Sequence, residues 1–188
     1  RSGLKFPNKL IKKIKMHRIS VLNISISAFR ILQNYLKEHE NFKFLKIVMS
    51  GGMPMSKQII NQYKKFFPSA KIINFYGCTE NSPRISHFHI KSHTKNNQLY
   101  APVGKALEGI KIKINKLKNY NSKIGLIFIS GTSLMRGYFK NRGLNNKLLI
   151  NNWYNTGDIG FFDKNKNLNI IGRNDNTFTV GHEKLCPE

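Results

Sequence analysis

Apolar residues recur with two different periods along the first half of the chain, and their alternation predicts an architecture. Residues 19–23 form a short β-branched strand. Ser25 and Ser27 then offer an N-cap for a helix over roughly residues 28–37, where Phe29, Leu32, Tyr35 and Leu36 fall at helical spacing and are expected in the core. Residues 44–49 are a continuous apolar, β-branched run, the mark of a buried strand. Ser50-Gly51-Gly52-Met53-Pro54 breaks it, and Ser56 caps a helix ending near Phe67-Pro68. After Pro68-Ser69 a further strand occupies residues 71–75. Strand, glycine turn, helix, strand is a βαβ unit, which favours a parallel sheet. The first 18 residues are basic and mixed, and read as a loop and a helix start.

From about Lys95 the helical period disappears. Residues 110–115, 124–130 and 168–171 are short strands separated by Gly, Asn and Lys, so a small barrel or sheet is expected. Residues 116–123 are a polar hairpin loop between two of them.

The totals narrow the class. With 188 residues, 40% of them hydrophobic, the chain can build one or two domains with a real core. It has no apolar run long enough to span a membrane, and with a basic start that lacks an apolar segment no signal peptide is expected. It does not begin with Met, and Cys186-Pro187-Glu188 runs off without a closing element, so it reads as a piece of something longer. Cys78 and Cys186 have neither metal nor disulfide spacing, which suits a reducing cytoplasm. A net charge of +23 taken alone suggests nucleic acid or an anionic surface. The lysines, however, are spread along the whole chain among Asn and Ile, as an AT-rich coding sequence produces. No specific nucleic acid is expected, and a basic nucleic-acid-binding protein stays as an alternative whose binding would fall steeply with salt.

Candidate chemistry gathers where strand 71–75 stops, at Tyr76-Gly77-Cys78-Thr79-Glu80. The end of a strand in an open α/β sheet is a usual ligand position. An aromatic face with the Asn74 amide suits a nucleobase, the Thr79 hydroxyl a phosphate oxygen and the Glu80 carboxylate Mg²⁺. Gly77 permits a tight turn or a close ligand; the competing reading is a polar hairpin turn with a satisfied Glu. Gly51-Gly52 lies one βαβ unit earlier, so both strand ends would open on one edge of the sheet, although a Gly-Gly pair also serves as a plain turn. Thr156-Gly157-Asp158 puts a carboxylate on a tight turn, able to accept two hydrogen bonds from a vicinal diol such as ribose, or simply to cap the turn. His87, His89 and His93 share no metal-ligand geometry at their spacing.

Asn74-Phe75-Tyr76-Gly77-Cys78-Thr79-Glu80 resembles the N-x-Y-G-x-T-E motif of the adenylate-forming enzymes: acyl-CoA synthetases, nonribosomal peptide synthetase adenylation domains and luciferases. Further likenesses follow in order along nearly the whole chain. Gly51-Gly52 with Pro54 resembles the family's Gly-Gly-x-Pro turn, and Val103-Gly104-Lys105 with Gly109 its G-x-x-x-x-G segment. Residues 125–131 with Gly137-Tyr138 resemble G-E-L-x-x-x-G…G-Y, Leu126 replacing the Glu. Trp153-Tyr154-Asn155-Thr156-Gly157-Asp158 resembles W-x-x-T-G-D, and Gly172-Arg173-x-Asp175 the G-R-x-D/K hinge.

The resemblance implies the C-terminal part of the family's large α/β domain. Residues 1–94 would be its βαβ portion, 95–172 a β-rich, barrel-like subdomain, and 173–188 the hinge and the start of a mobile C-terminal domain. It implies ATP or AMP and Mg²⁺ as ligands, a small carboxylic acid as substrate, and CoA or a phosphopantetheinyl carrier protein as thiol acceptor. Thr79 and Glu80 would be catalytic, with Thr79 at the α-phosphate and Glu80 on Mg²⁺. Tyr76 would stack on adenine, Asn74 would bond its edge, Asp158 would grip the ribose and Arg173 assist. Gly51, Gly52 and Gly77 would line the nucleotide, and Asp175 would be the pivot. The departures are equally definite. These 188 residues hold no T-S-G-T-T-G-x-P-K phosphate loop and no late catalytic Lys, and His182 stands where a Gly is expected. A fragment of an acyl-CoA synthetase type ligase is expected, with a non-catalytic, nucleotide-binding remnant as the alternative.

Overall fold

The computed structural model describes residues 6–37, 42–91, 99–117, 123–174, 178–180 and 183–185. The chain falls into two units, Arg1–Phe75 with Phe88–Ala101, and Tyr76–His87 with Pro102–Glu188.

In the first unit, Pro7 occupies the opening turn of helix α1 (Pro7–Met16), where a missing amide costs nothing, and Ile11 and Ile14 are buried one turn apart. Strand β1 (Val21–Asn23) leads to helix α2 (Ile26–Gln33), whose cap is Ser25 Oγ, accepting from the Ala28 amide at 3.1 Å. Strand β2 (Ile47–Gly51), helix α3 (Lys57–Phe66) and strand β3 (Lys71–Tyr76) complete the βαβ unit. The strands are parallel, with Val21 beside Ile47 and Ile47 beside Lys71. The expected parallel sheet is present.

Two expectations are corrected. Ser25 caps α2, which starts at Ile26 and ends at Gln33, so Tyr35 lies past its end, 48% exposed instead of in the core. The strand expected from residue 44 starts at Ile47, since Phe42 and Leu45 form a turn and bury themselves beneath it. The core joins α2 to α3 through Phe29 and Tyr63, stacked at 3.9 Å, with Phe67 and Phe42 alongside. A buried polar link is satisfied there: the Ser50 hydroxyl lies 2.6 Å from the Tyr63 hydroxyl and donates to the Ile24 carbonyl at 2.7 Å.

The second unit is built on antiparallel strands. Strand β4 (Ser86–Ile90) pairs through Ser86 and His87 with β5 (Lys105–Ala106). Strands β6 (Ile110–Lys116), β7 (Gly125–Gly131), β9 (Trp153–Phe162) and β10 (Leu168–Arg173) form a sheet in the order β10–β9–β7–β6. Helix α4 (Arg142–Leu148) and β8 (Leu149–Ile150), which pairs with β9, precede the longest strand. Strands β11 (Phe178–Val180) and β12 (Glu183–Leu185) make a hairpin. Ile85, Ile127, Ile129, Tyr154 and Leu168 form the core.

The absence of helix after Lys95 is corrected by α4. It fully buries no residue, and its apolar period is the single half-buried pair Leu144 and Leu148, too short to announce it. The tight turn expected at Thr156-Gly157-Asp158 is instead the middle of β9. Leu126 pairs with Ile159 and Phe128 with Asn155, leaving Thr156, Gly157 and Asp158 opposite Ile127 alone. Among the described residues no helix is long and apolar enough to cross a membrane.

Candidate functional site

Gly51, Gly52 and Asn74 belong to the first unit. Gly51 ends β2 beside Phe75, whose carbonyl oxygen would lie 2.4 Å from a Cβ, so strand packing itself requires glycine there. Gly52 has φ +83° with open space where a side chain would be. Asn74 is 1% exposed and donates to the Ala101 carbonyl at 3.4 Å.

The remaining candidates lie in the second unit. The chain leaves β3 at Tyr76, folds through a one-turn 3-10 segment (Thr79–Asn81) and returns, with the Ile85 amide donating to the Tyr76 carbonyl at 2.8 Å. Gly77 is what lets the loop close. A Cβ there would sit 1.7 Å from the Pro83 carbonyl oxygen, so the backbone that approaches Gly77 is the chain's own. Thr79 is exposed at the start of the segment.

The β9 bulge aims Asp158 at Tyr76. Thr156 anchors the bulge by donating to the Ile127 carbonyl at 3.0 Å and accepting from the Asp158 amide at 3.1 Å. The Tyr76 hydroxyl donates to Asp158 Oδ2 in a short hydrogen bond, while Arg173 Nη1 lies 3.3 Å from Oδ1 and 3.1 Å from the Thr156 carbonyl. Arg173 lies across Gly157, where φ is +76° and a Cβ would meet the guanidinium at 3.1 Å. Burial raises the Asp158 carboxyl above its ordinary range, although the Tyr76 hydroxyl and the Arg173 charge oppose it. Burial, followed by the neighbouring Asp158 charge, holds the Tyr76 phenol well above its ordinary value. The Tyr76 phenol is thus held neutral against Asp158.

Glu80 is the second focus. Tyr138 donates to Glu80 Oε1 at 2.7 Å, and the Tyr138 and Tyr154 hydroxyls are 3.2 Å apart. Burial alone would raise the Glu80 carboxyl, but hydrogen bonds, that from Tyr138 foremost, hold it below its ordinary range. A buried-side, anionic oxygen donor of this kind fits a hard divalent cation. Beside it, burial and then the Glu80 charge push the Cys78 thiol up to about 12, so it stays protonated.

The structure therefore brings Tyr76, Asp158 and Arg173 together, and sets Thr79 and Glu80 on the loop that begins at Gly77. Asp175, His93, His182 and Cys186 lie outside the described residues. Sequence reading missed Tyr138 and Tyr154 as partners of Glu80, and Asn145, whose amide grips the Tyr138 backbone. Gly137-Tyr138 was legible as a motif, but nothing in its spacing tells that a hydroxyl 58 positions away reaches Glu80.

Comparison with known proteins agrees with the motif order. The 2-succinylbenzoate–CoA ligase of Oceanobacillus iheyensis is 25% identical over 179 residues, which cover 95% of this chain and 36% of the ligase. The long-chain-fatty-acid–CoA ligase of Haemophilus influenzae is 29% identical over 185 residues, 94% of this chain and 31% of that protein. The chain spans about a third of the length of these relatives. The O-succinylbenzoate coenzyme A synthetase of Bacillus subtilis, solved with ATP and magnesium ion, has a TM-score of 0.80 at 20% identity, over 96% of this chain and 37% of that one. That likeness shows the fold: part of the large domain of an adenylate-forming enzyme, with its α/β portion and β-rich half. The AMP-binding enzyme profile matches residues 2–139, and with the motifs in order on either side of that boundary, the chain belongs to the family of AMP-binding enzymes.

Proposed function

We propose that this chain is the nucleotide-holding part of an ATP-dependent acid–thiol ligase of the acyl-CoA synthetase type. The observation that carries the reading is the cluster of Tyr76, Asp158 and Arg173, three motif residues drawn from three separate strands. A carboxylate whose two oxygens are already oriented is suited to a vicinal diol, and an aromatic ring fixed beside it is suited to a nucleobase. In this reading Tyr76 carries the adenine, Asp158 and Arg173 hold the ribose, and Gly77 shapes the loop beneath. Thr79 meets the α-phosphate.

The reaction is two displacements. An oxygen of the carboxylic acid attacks the α-phosphorus of ATP and pyrophosphate leaves; a thiol sulfur of CoA or of a phosphopantetheinyl carrier then attacks the acyl carbon and AMP leaves. Glu80 would hold Mg²⁺, which supplies charge neutralisation at the phosphates. The exposed Thr79 hydroxyl orients a phosphate oxygen by donating to it. Asp175 serves as the pivot of a domain rotation between the steps, with residues 1–94, 95–172 and 173–188 as the α/β portion, the β-rich subdomain and the hinge. The wide spacing of the cysteines is in keeping with a cytoplasmic enzyme. Relatives named as CoA ligases support this reading.

The test has two stages. Calorimetry with AMP on the 188-residue chain is expected to show binding that Asp158→Ala weakens. Exchange of labelled pyrophosphate into ATP, run on the full-length protein over a panel of carboxylic acids, is expected to depend on the acid. AMP binding without exchange for any acid would favour the non-catalytic nucleotide scaffold. Nucleic-acid binding that falls steeply with salt, with no response to ATP, would replace both readings.

A further inference from the structure

We infer that Tyr138, clamped by Asn145, is a positioning residue for the Glu80 carboxylate, so that cation binding is controlled from helix α4. The inference rests on the reading of Glu80 as the Mg²⁺-bearing group. Glu80 sits on a single 3-10 turn held by short-range bonds and by the Met135 amide, which donates to the Glu80 carbonyl at 2.8 Å. These fix its backbone and leave the carboxylate to be oriented by its own partners. Tyr138 Oη, donating to Oε1 at 2.7 Å, makes a charge-assisted bond that sets the direction of the second oxygen. Tyr154, 5% exposed on β9, backs the phenol at 3.2 Å.

Tyr138 has no strand or helix of its own to hold it, and the next residue, Phe139, is 87% exposed. Its anchor is the Asn145 side chain. Oδ1 accepts from the Tyr138 amide at 2.7 Å and Nδ2 donates to the Tyr138 carbonyl at 3.0 Å, so one side-chain amide takes both backbone groups, as a neighbouring strand would. Gly137 leaves space for the clamp: a Cβ would lie 2.9 Å from Asn145 Nδ2. Helix α4 is capped by Asn141 Oδ1, accepting from the Leu144 amide at 3.1 Å, and rests a half-buried Leu148 against the core of the second unit. From that seat the helix presents Asn145 to the Tyr138 backbone. The chain of contacts runs Asn145, Tyr138, Glu80.

The probe is Mn²⁺ with ATP on the 188-residue chain, followed by electron paramagnetic resonance, beside calorimetry with metal-free AMP. Tyr138→Phe keeps the ring and removes the donor. It is expected to weaken Mn²⁺ about tenfold, the usual scale for a residue orienting a metal ligand, and to leave AMP affinity unchanged. Asn145→Ala should weaken Mn²⁺ likewise, and the double variant should be no worse than Tyr138→Phe, since both act through one hydroxyl. Wild-type Mn²⁺ affinity in Tyr138→Phe, with Glu80→Gln defective, overturns the inference alone. Wild-type affinity in Glu80→Gln overturns the reading of Glu80 and the inference with it.

Discussion

The Tyr76 hydroxyl donates to Asp158 Oδ2 across 82 positions of sequence, while Arg173 holds Oδ1. The residue proposed to carry the base and the one proposed to hold the ribose are therefore one unit. Removing either should disturb the other. Tyr76→Phe keeps the ring but releases Oδ2, and Asp158→Ala removes the acceptor; each is expected to lower AMP affinity by about 1.5–3 kcal/mol, the scale of a hydrogen bond to a charged group. The double variant should lose less than the sum. Calorimetry on the four proteins measures the coupling, and strictly additive losses would show that the bond orders nothing.

Two candidate glycines that look equivalent in sequence should differ sharply in cost. Gly77→Ala drives a methyl into the Pro83 carbonyl, which is backbone and cannot rotate away. Its loop must open, at about 3 kcal/mol or more, and AMP binding should go with it. Gly52→Ala meets only open space, so its penalty is the left-handed backbone alone, about 1–2 kcal/mol. Guanidinium unfolding ranks the pair, and equal midpoints would contradict the close approach at Gly77.

Those glycines also show where sequence reading stops. Capping serines and apolar periods are local, and Ser56 with the run before it yielded β2, α3 and β3 in parallel order. The motif order was legible for the same reason. Helix α4 was not, because its apolar period is the single half-buried pair Leu144 and Leu148, and Tyr35 was misplaced because α2 ends at Gln33, short of the expected bound. The β9 bulge depends on pairing with Ile127, and Tyr138 depends on a loop folding back to Glu80. Such long-range relations leave no period in the chain.

Alkaline pH should loosen the first unit through Tyr63. Burial raises its phenol from 10.0 to about 12, against a partial opposing effect of Ser50. A folded value above the unfolded one means that the stabilisation is whole below pH 10 and is lost as pH rises toward 12. Near pH 11 the loss should be about 1.4 kcal/mol. Far-ultraviolet circular dichroism during urea unfolding follows helices α1 to α3. Tyr63→Phe should be less stable at neutral pH, having lost the buried hydrogen bond between the two hydroxyls, yet show a shallower decline above pH 10. An unchanged slope would place the titration elsewhere.

Asp158 offers a final test, in which stability and binding should move in opposite directions. Its carboxyl is raised by burial despite Tyr76 and Arg173. A raised folded value gives stabilisation below the unfolded value that is lost as pH rises, so at neutral pH the ionised group is a net cost to the fold. Asp158→Asn keeps an oxygen for the Tyr76 hydroxyl and removes the buried charge. Arg173, whose side chain is 48% exposed, stays solvated. The variant should therefore be as stable as the parent or more so, while its AMP affinity falls, as expected where a strained site is kept for binding. Denaturation and calorimetry on one preparation decide it. A clear loss of stability would instead make Asp158 a structural carboxylate bracing the bulge of β9, with ribose binding no longer needed to explain it.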